Sequence, residues 1–135
     1  MKALAIATGL ASFVLAAGPE FDRARKLYDR TDFEQSLKIL QGIPAKDAAV
    51  YALMGRDYYM QGDYKRASEI LEKAFVADPG NAEYALWLGR SFGRRAETSS
   101  PFTAPGQASK ARQCFEKSVQ LNPKNVEALT DLFEY

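Results

Sequence analysis

The chain has 135 residues, with 18 Lys and Arg against 17 Asp and Glu, a single cysteine and no histidine. That near-neutral balance argues against a nucleic-acid binder, which shows a clear basic excess, and one cysteine excludes a disulfide framework or a thiolate metal site. Without histidine the commonest general base and most transition-metal sites are missing as well.

The first segment reads as an export signal. Lys2 supplies a positive start, residues 3–16 form an apolar run, and Val14-Leu15-Ala16 or Leu15-Ala16-Ala17 offers a small-residue cleavage site. At about 15 residues the run falls short of the roughly 20 that a spanning helix needs, and it lacks the polar face of an amphipathic core helix. The expectation is a signal peptide over 1–17, or an N-terminal anchor if it is retained, ahead of a helical domain over 18–135. The protein is then periplasmic or secreted, or membrane-anchored with the leader uncleaved. No cysteine stands at the cleavage point to carry a lipid. Beyond the leader, 17 bases face 17 acids.

A degenerate first unit comes next. Phe33, Ser36, Ile39 and Leu40 align with Tyr64, Ala67, Ile70 and Leu71 at a shift of 31, and Ala24, Arg25 and Tyr28 align with Gly55, Arg56 and Tyr59. The unit closes early at Gly42-Ile43-Pro44.

The second unit is the clearest. Tyr51, Met54, Gly55 and Tyr58 fall at i, i+3, i+4 and i+7, one face of a helix, and Ala67, Ile70, Leu71 and Ala74 make the same stripe on a second helix. Gln61-Gly62-Asp63 separates the two, with Asp63 placed to cap the second. Small Gly55 and Ala67 on facing stripes allow close approach while Tyr58 and Leu71 fill the remaining volume. Asp78-Pro79-Gly80-Asn81 ends the pair, and Asn81 can cap the next helix.

The third unit echoes it. Ala85, Leu88, Gly89, Phe92, Ala111, Phe115, Ser118 and Pro123 repeat Tyr51, Met54, Gly55, Tyr58, Ala67, Leu71, Ala74 and Pro79. Gly55 and Gly89 are 34 residues apart, but Gly89 to Ala111 spans 22 residues where Gly55 to Ala67 spans 12. The excess reads as a loop insertion near 97–107, centred on 98–106, with two prolines, a glycine and four hydroxyl residues. Arg90 to Ala96 looks helical and extends the first helix past its usual end. The loop, with Phe102 between prolines and Arg94, Arg95, Lys110 and Arg112 around it, is either a second contact point or a tolerated surface insertion. Residues 125–135 then begin a further first helix, with Val126, Leu129, Leu132 and Phe133 as its apolar side. It reads as a capping helix or as the start of a continuing array, and the apolar side favours the latter.

A period of this size marks a solenoid of stacked helix pairs. The pattern at 48–81 resembles the tetratricopeptide repeat: an aromatic, Leu-Gly, Tyr, then Ala, Phe, Ala and Pro, held here by Tyr51, Met54-Gly55, Tyr58, Ala67, Leu71, Ala74 and Pro79. Only Met54 and Leu71 depart from it, and both keep the bulk apolar. The resemblance implies an all-α, right-handed α-solenoid of antiparallel helix pairs, about three repeats plus a terminal helix.

Nothing in the pattern calls for catalysis, a cofactor or a metal. Gly55 and Gly89 are isolated packing glycines, not a phosphate cradle. Glu69 stands four residues from Lys65 and from Lys73, which is the pattern of a solvated face. Cys114 matches Ile70 and Ile39 on the buried stripe and reads as a core residue.

One arrangement points to binding. Arg25, Arg56 and Arg90 each follow the small residue of their unit's first helix, Ala24, Gly55 and Gly89. In tetratricopeptide arrays that position faces the concave groove, so the resemblance implies three arginines along the inner wall. Tyr28 and Tyr59 lie one turn further on, and Arg94 extends the third helix in the same direction. Arginine forks pair with carboxylates, and tyrosine adds a broad face with a hydroxyl. The implied function is a protein-interaction module that holds a protein or peptide segment, acidic or carboxylate-terminated, with no small-molecule substrate and no nucleic acid. The alternative is a structural or assembly piece of a larger envelope-associated chain. In that reading the groove packs against further repeats or a subunit; separately, each arginine could instead pair with an acid of the neighbouring helix, such as Asp57, Glu83 or Glu20, and stitch the stack.

Overall fold

The computed structural model describes residues 18–135, so the expected leader over 1–17 lies outside the described residues. Seven helices and no strand occur among them: α1 (Pro19–Asp29), α2 (Phe33–Gln41), α3 (Ala48–Met60), α4 (Tyr64–Ala77), α5 (Ala82–Thr98), α6 (Ala104–Leu121) and α7 (Val126–Phe133). None is long and apolar enough to cross a membrane. Their starts are set by side chains. Asp32, Asp47, Asp63, Asn81 and Asn125 each accept a hydrogen bond from a backbone N–H in the first turn of α2, α3, α4, α5 and α7, satisfying donors that the helix itself cannot.

The helices pair as α1/α2, α3/α4 and α5/α6, and each pair leans on the next through α2 on α3, α4 on α5 and α6 on α7. This is the expected all-α solenoid of three pairs and a last helix. Glycine controls the closeness of the second and third pairs. A Cβ on Gly55 would overlap the Leu71 side chain, and one on Gly89 would lie 2.7 Å from Phe115 Cε1. Leu71 and Phe115 are fully buried as a result, beside Ala67 and Ala111, each large side chain contributing about 1.5–3 kcal/mol. One cluster gathers Ala24, Leu40, Leu53 and Met54, the next Leu71, Leu86, Phe92 and Phe115, and Tyr58 packs against both. Burial therefore runs from unit to unit.

The insertion resolves differently from the expected loop. Only residues 99–103 lie outside the helices, and the extra length goes mostly into helix: α5 runs nine residues beyond Gly89 where α3 runs five beyond Gly55, and α6 starts seven residues before Ala111 where α4 starts three before Ala67. Pro105, read as a breaker, sits in the first turn of α6, where the missing N–H has no partner to lose and the fixed φ suits the helix. Phe102 projects from the short turn almost wholly exposed.

The last helix also differs in detail. Its buried anchor is Ala128, while Val126 and Phe133 of the expected apolar side are exposed. Aligning the caps Asn81 and Asn125 places Phe133 where the earlier first helices carry Gly55 and Gly89. Tyr135 instead folds back against Gly93, with its ring 5.3 Å from that of Phe115.

Two local features carry energetic consequences. The α1–α2 and α3–α4 turns are built alike, with Thr31 N–H bonded to Tyr28 and Asp32 N–H to Leu27 as Gly62 is to Tyr59 and Asp63 to Tyr58. The left-handed position is Gly62 in one (φ 81°) and Thr31 in the other (φ 64°), a costly place for a β-branched residue. Asp57 is fully buried on α3; Ser36 Oγ of α2 donates to its Oδ2 at 2.7 Å, and Oδ1 has no partner. Burial pushes its carboxyl up to about 7, against the hydrogen bond from Ser36 and the charge of Arg56.

Thr31→Gly is expected to stabilise the fold by roughly 0.5 kcal/mol in urea unfolding, relief of the left-handed strain exceeding the entropy that glycine adds to the unfolded chain. Because the Asp57 pKa is raised on folding, its stabilising contribution is complete below about pH 4 and is lost as pH rises through about 7. Urea midpoints at pH 4, 5.5 and 8 should therefore fall with pH across this window in the wild type, and fall less in Asp57→Asn.

Candidate partner-binding groove

The odd-numbered helices share one face. Arg25, Arg56 and Arg90 follow buried Ala24, Gly55 and Gly89, so each stands one helical step of about 100° round from the packed seam. The three line a single cavity of about 550 Å³ together with Asn81, Glu83, Tyr84, Trp87 and Glu127. Every one of these residues comes from α1, α3, α5 or α7, or caps α5.

Arg56 is held by aromatic rings. Its guanidinium carbon lies 4.8 Å from the Tyr28 ring centroid and 4.5 Å from that of Trp87, and Nε donates to the Tyr28 hydroxyl at 3.3 Å. Cation–π contacts of this kind contribute about 0.5–2 kcal/mol and fix the head without neutralising it. Trp87 is braced in turn by Tyr59, edge-on at 5.3 Å, and Tyr59 by Tyr64 at 5.3 Å. Among the described residues neither Arg25 nor Arg56 forms an ion pair. Two cations thus face the cavity with donors to spare.

Arg90 is arranged otherwise. Its Nε donates to Asp131 Oδ2 at 2.6 Å and its Nη2 to Glu127 Oε2 at 3.0 Å, both on α7. Burial works against its charge, but the two hydrogen bonds together with the negative charges of Asp131 and Glu127 outweigh it and hold the pKa above the ordinary arginine value. Here the stitching alternative applies, although the acids are on α7 and were not among those expected. Arg94 lies away from the cavity, pairing with Glu97 and donating to the Tyr64 hydroxyl at 3.3 Å. Tyr28 and Tyr59 stand behind the cavity as supports for Arg56 and Trp87.

The structure therefore brings Arg25, Arg56 and Arg90 to one site, with Arg90 already paired and Arg94 outside. Sequence reasoning missed Trp87, Tyr84 and Glu127, and named Asn81 only as a cap and Glu83 only as an acid that could stitch the stack. Trp87 was the one within reach, being the only tryptophan in the chain and three residues before Arg90 on the same helix face. On a different surface, Cys114 is half-buried in a groove between α4 and α6. Burial pushes its thiol up to about 11, so it stays protonated.

Residues 48–91 match the family model of the tetratricopeptide repeat. No curated protein shows significant similarity to the sequence. Among solved structures, the second tetratricopeptide domain of human RPAP3, in complex with the HSP70 peptide SGPTIEEVD, superposes with a TM-score of 0.71 at 24% identity, covering 85% of this chain and 90% of that one. The first such domain of Spaghetti (RPAP3), bound to the HSP90 peptide SRMEEVD, gives 0.72 at 14% identity over 85% and 86%. The domain of Arabidopsis OM64 gives 0.73 at 15% over 85% and 89%. At these identities the likeness is one of fold: a helical-repeat solenoid of the tetratricopeptide type.

The Arg90–Asp131 pair ties α7 across to α5. Asp131→Ala should lower hydrogen-exchange protection across Val126–Phe133 by about 1–2 kcal/mol, with α3 and α4 unchanged. Equal protection in wild type and variant would show that α7 is held by its packing on α6 alone.

Proposed function

We propose that this protein is an interaction module that holds a carboxylate-bearing segment of a protein partner in the groove of its odd-numbered helices, and has no catalysis of its own. The observation that carries this reading is Arg56. It is a cation fixed between two aromatic rings, without an ion-pair partner among the described residues, and it opens on a cavity shared with Arg25. Holding an arginine head in place with rings lowers the entropy lost when a ligand carboxylate arrives, and the open donors set its geometry. Asn81, Tyr84 and Trp87 supply an amide and two broad faces for the neighbouring backbone and side chains of the segment. Two solved relatives of the same fold hold acidic peptides, which supports a peptide as the ligand.

The leader pattern at 1–17 adds a location. The module works outside the cytoplasm, released into the periplasm or medium or held at the membrane surface by an uncleaved leader.

Trp87 is the sole tryptophan and lines the groove, so its fluorescence reports binding without a label. Titration with the capped peptide GSGDGSG should shift that emission saturably in the wild type. Arg56→Glu should abolish the shift, and Arg25→Glu should weaken binding roughly fivefold, the scale of one exposed charge pair. Binding indifferent to both substitutions, or absent from the wild type, would overturn the reading.

A further inference from the structure

The cavity is not uniformly cationic, and its charges are sorted along the solenoid. At the α1 and α3 end stand Arg25 and Arg56, both without an ion-pair partner among the described residues. At the α5 and α7 end Arg90 carries one positive charge against the two negative charges of Glu127 and Asp131 that bind it. Glu83, exposed and free of ion pairs among the described residues, lines the same end. Trp87 lies between the two ends, in contact with Arg56 on one side and Arg90 on the other. Counted in formal charges, one end is net positive and the other net negative.

We infer that the groove selects a dipolar segment, one that places a carboxylate against Arg25 and Arg56 and a lysine or arginine against Glu83 and Glu127. The inference rests on the carboxylate reading above and narrows its ligand. An acid on the α5 and α7 side of the ligand is disfavoured because it would meet Glu127 and Glu83, while Arg90, the cation of that end, already has both of its acids in hand. A cation at that place instead meets Glu127, whose side chain is 69% exposed and has a carboxylate oxygen left over from the Arg90 bond. The rings favour the same ligand, since the aliphatic stem of a lysine or arginine can lie along Tyr84 and Trp87 on its way to the acids.

The geometry also sets the spacing. Neighbouring first helices that touch, as α3 and α5 do, have axes roughly 8–10 Å apart. About three residues of extended chain cover that distance, so the acid and the base of the ligand should be about three positions apart.

Trp87 fluorescence titrations with four capped peptides of one length test this: GSDGSKG and its reverse-order partner GSKGSDG, GSDGSDG with two acids, and GSDGSQG with one. Either or both dipolar peptides should bind roughly three- to fivefold tighter than GSDGSQG, and tighter than GSDGSDG. Glu83→Lys, on an exposed helix position, should erase or invert that order. Equal affinities for all four peptides, or tightest binding by the double acid, would overturn the inference while an Arg56-dependent GSDGSQG signal left the carboxylate reading standing. No Arg56-dependent signal with any peptide would remove both.

Discussion

The structure depends on two close approaches, Gly55 against Leu71 and Gly89 against Phe115. A methyl group at either glycine would force a large, fully buried side chain to move, and cores filled to native density resist such movement. These contacts set the distance within each helix pair, and so the direction in which the residue after each glycine leaves the helix. Arg56 and Arg90 reach the same cavity because the residues before them are pinned. Ala24 plays the same part for Arg25 in the first unit, where the helices are shorter and a methyl group fits.

The groove then handles a partly buried cation in two ways. Arg90 is neutralised by carboxylates of α7, an arrangement that fastens the last helix but leaves little charge to offer. Arg56 is positioned by the electron-rich faces of Tyr28 and Trp87 and keeps its charge. The chain of contacts from Tyr64 through Tyr59 to Trp87 makes that position rigid, so a feature of the second helix pair reaches the site through three rings.

Two buried serines find a partner across a seam. Ser118 Oγ donates to the Ala82 carbonyl at the start of α5, and Arg95 Nη1 donates to Ser68 Oγ across α4 and α5. The second of these depends on the added turns of α5. The inserted residues thus contribute an inter-unit hydrogen bond, and only the exposed Phe102 turn remains loop. Asp57 has one oxygen satisfied and one not, and Gln107 Oε1 of α6 is likewise buried without a partner. Asp57 leaves the α2–α3 seam sensitive to pH.

The helices, two of their caps and the repeat were legible in the chain because they are local or periodic: stripes at i, i+3, i+4 and i+7, Asp63 and Asn81 ahead of two of those stripes, and small residues 34 apart. The resemblance to the tetratricopeptide repeat implied Arg25, Arg56 and Arg90 on one wall. What only the tertiary structure decided is which of them remains available. Arg90 meets Glu127 and Asp131 from 37 and 41 residues away, and Tyr28, Arg56 and Trp87 come from three different helices, contacts that no spacing rule encodes. Pro105 shows the same limit at short range, since one residue type both stops and starts helices and its neighbours' packing selects between them. Periodicity fixes which face a side chain occupies; its partner across the fold depends on how whole helices settle against one another.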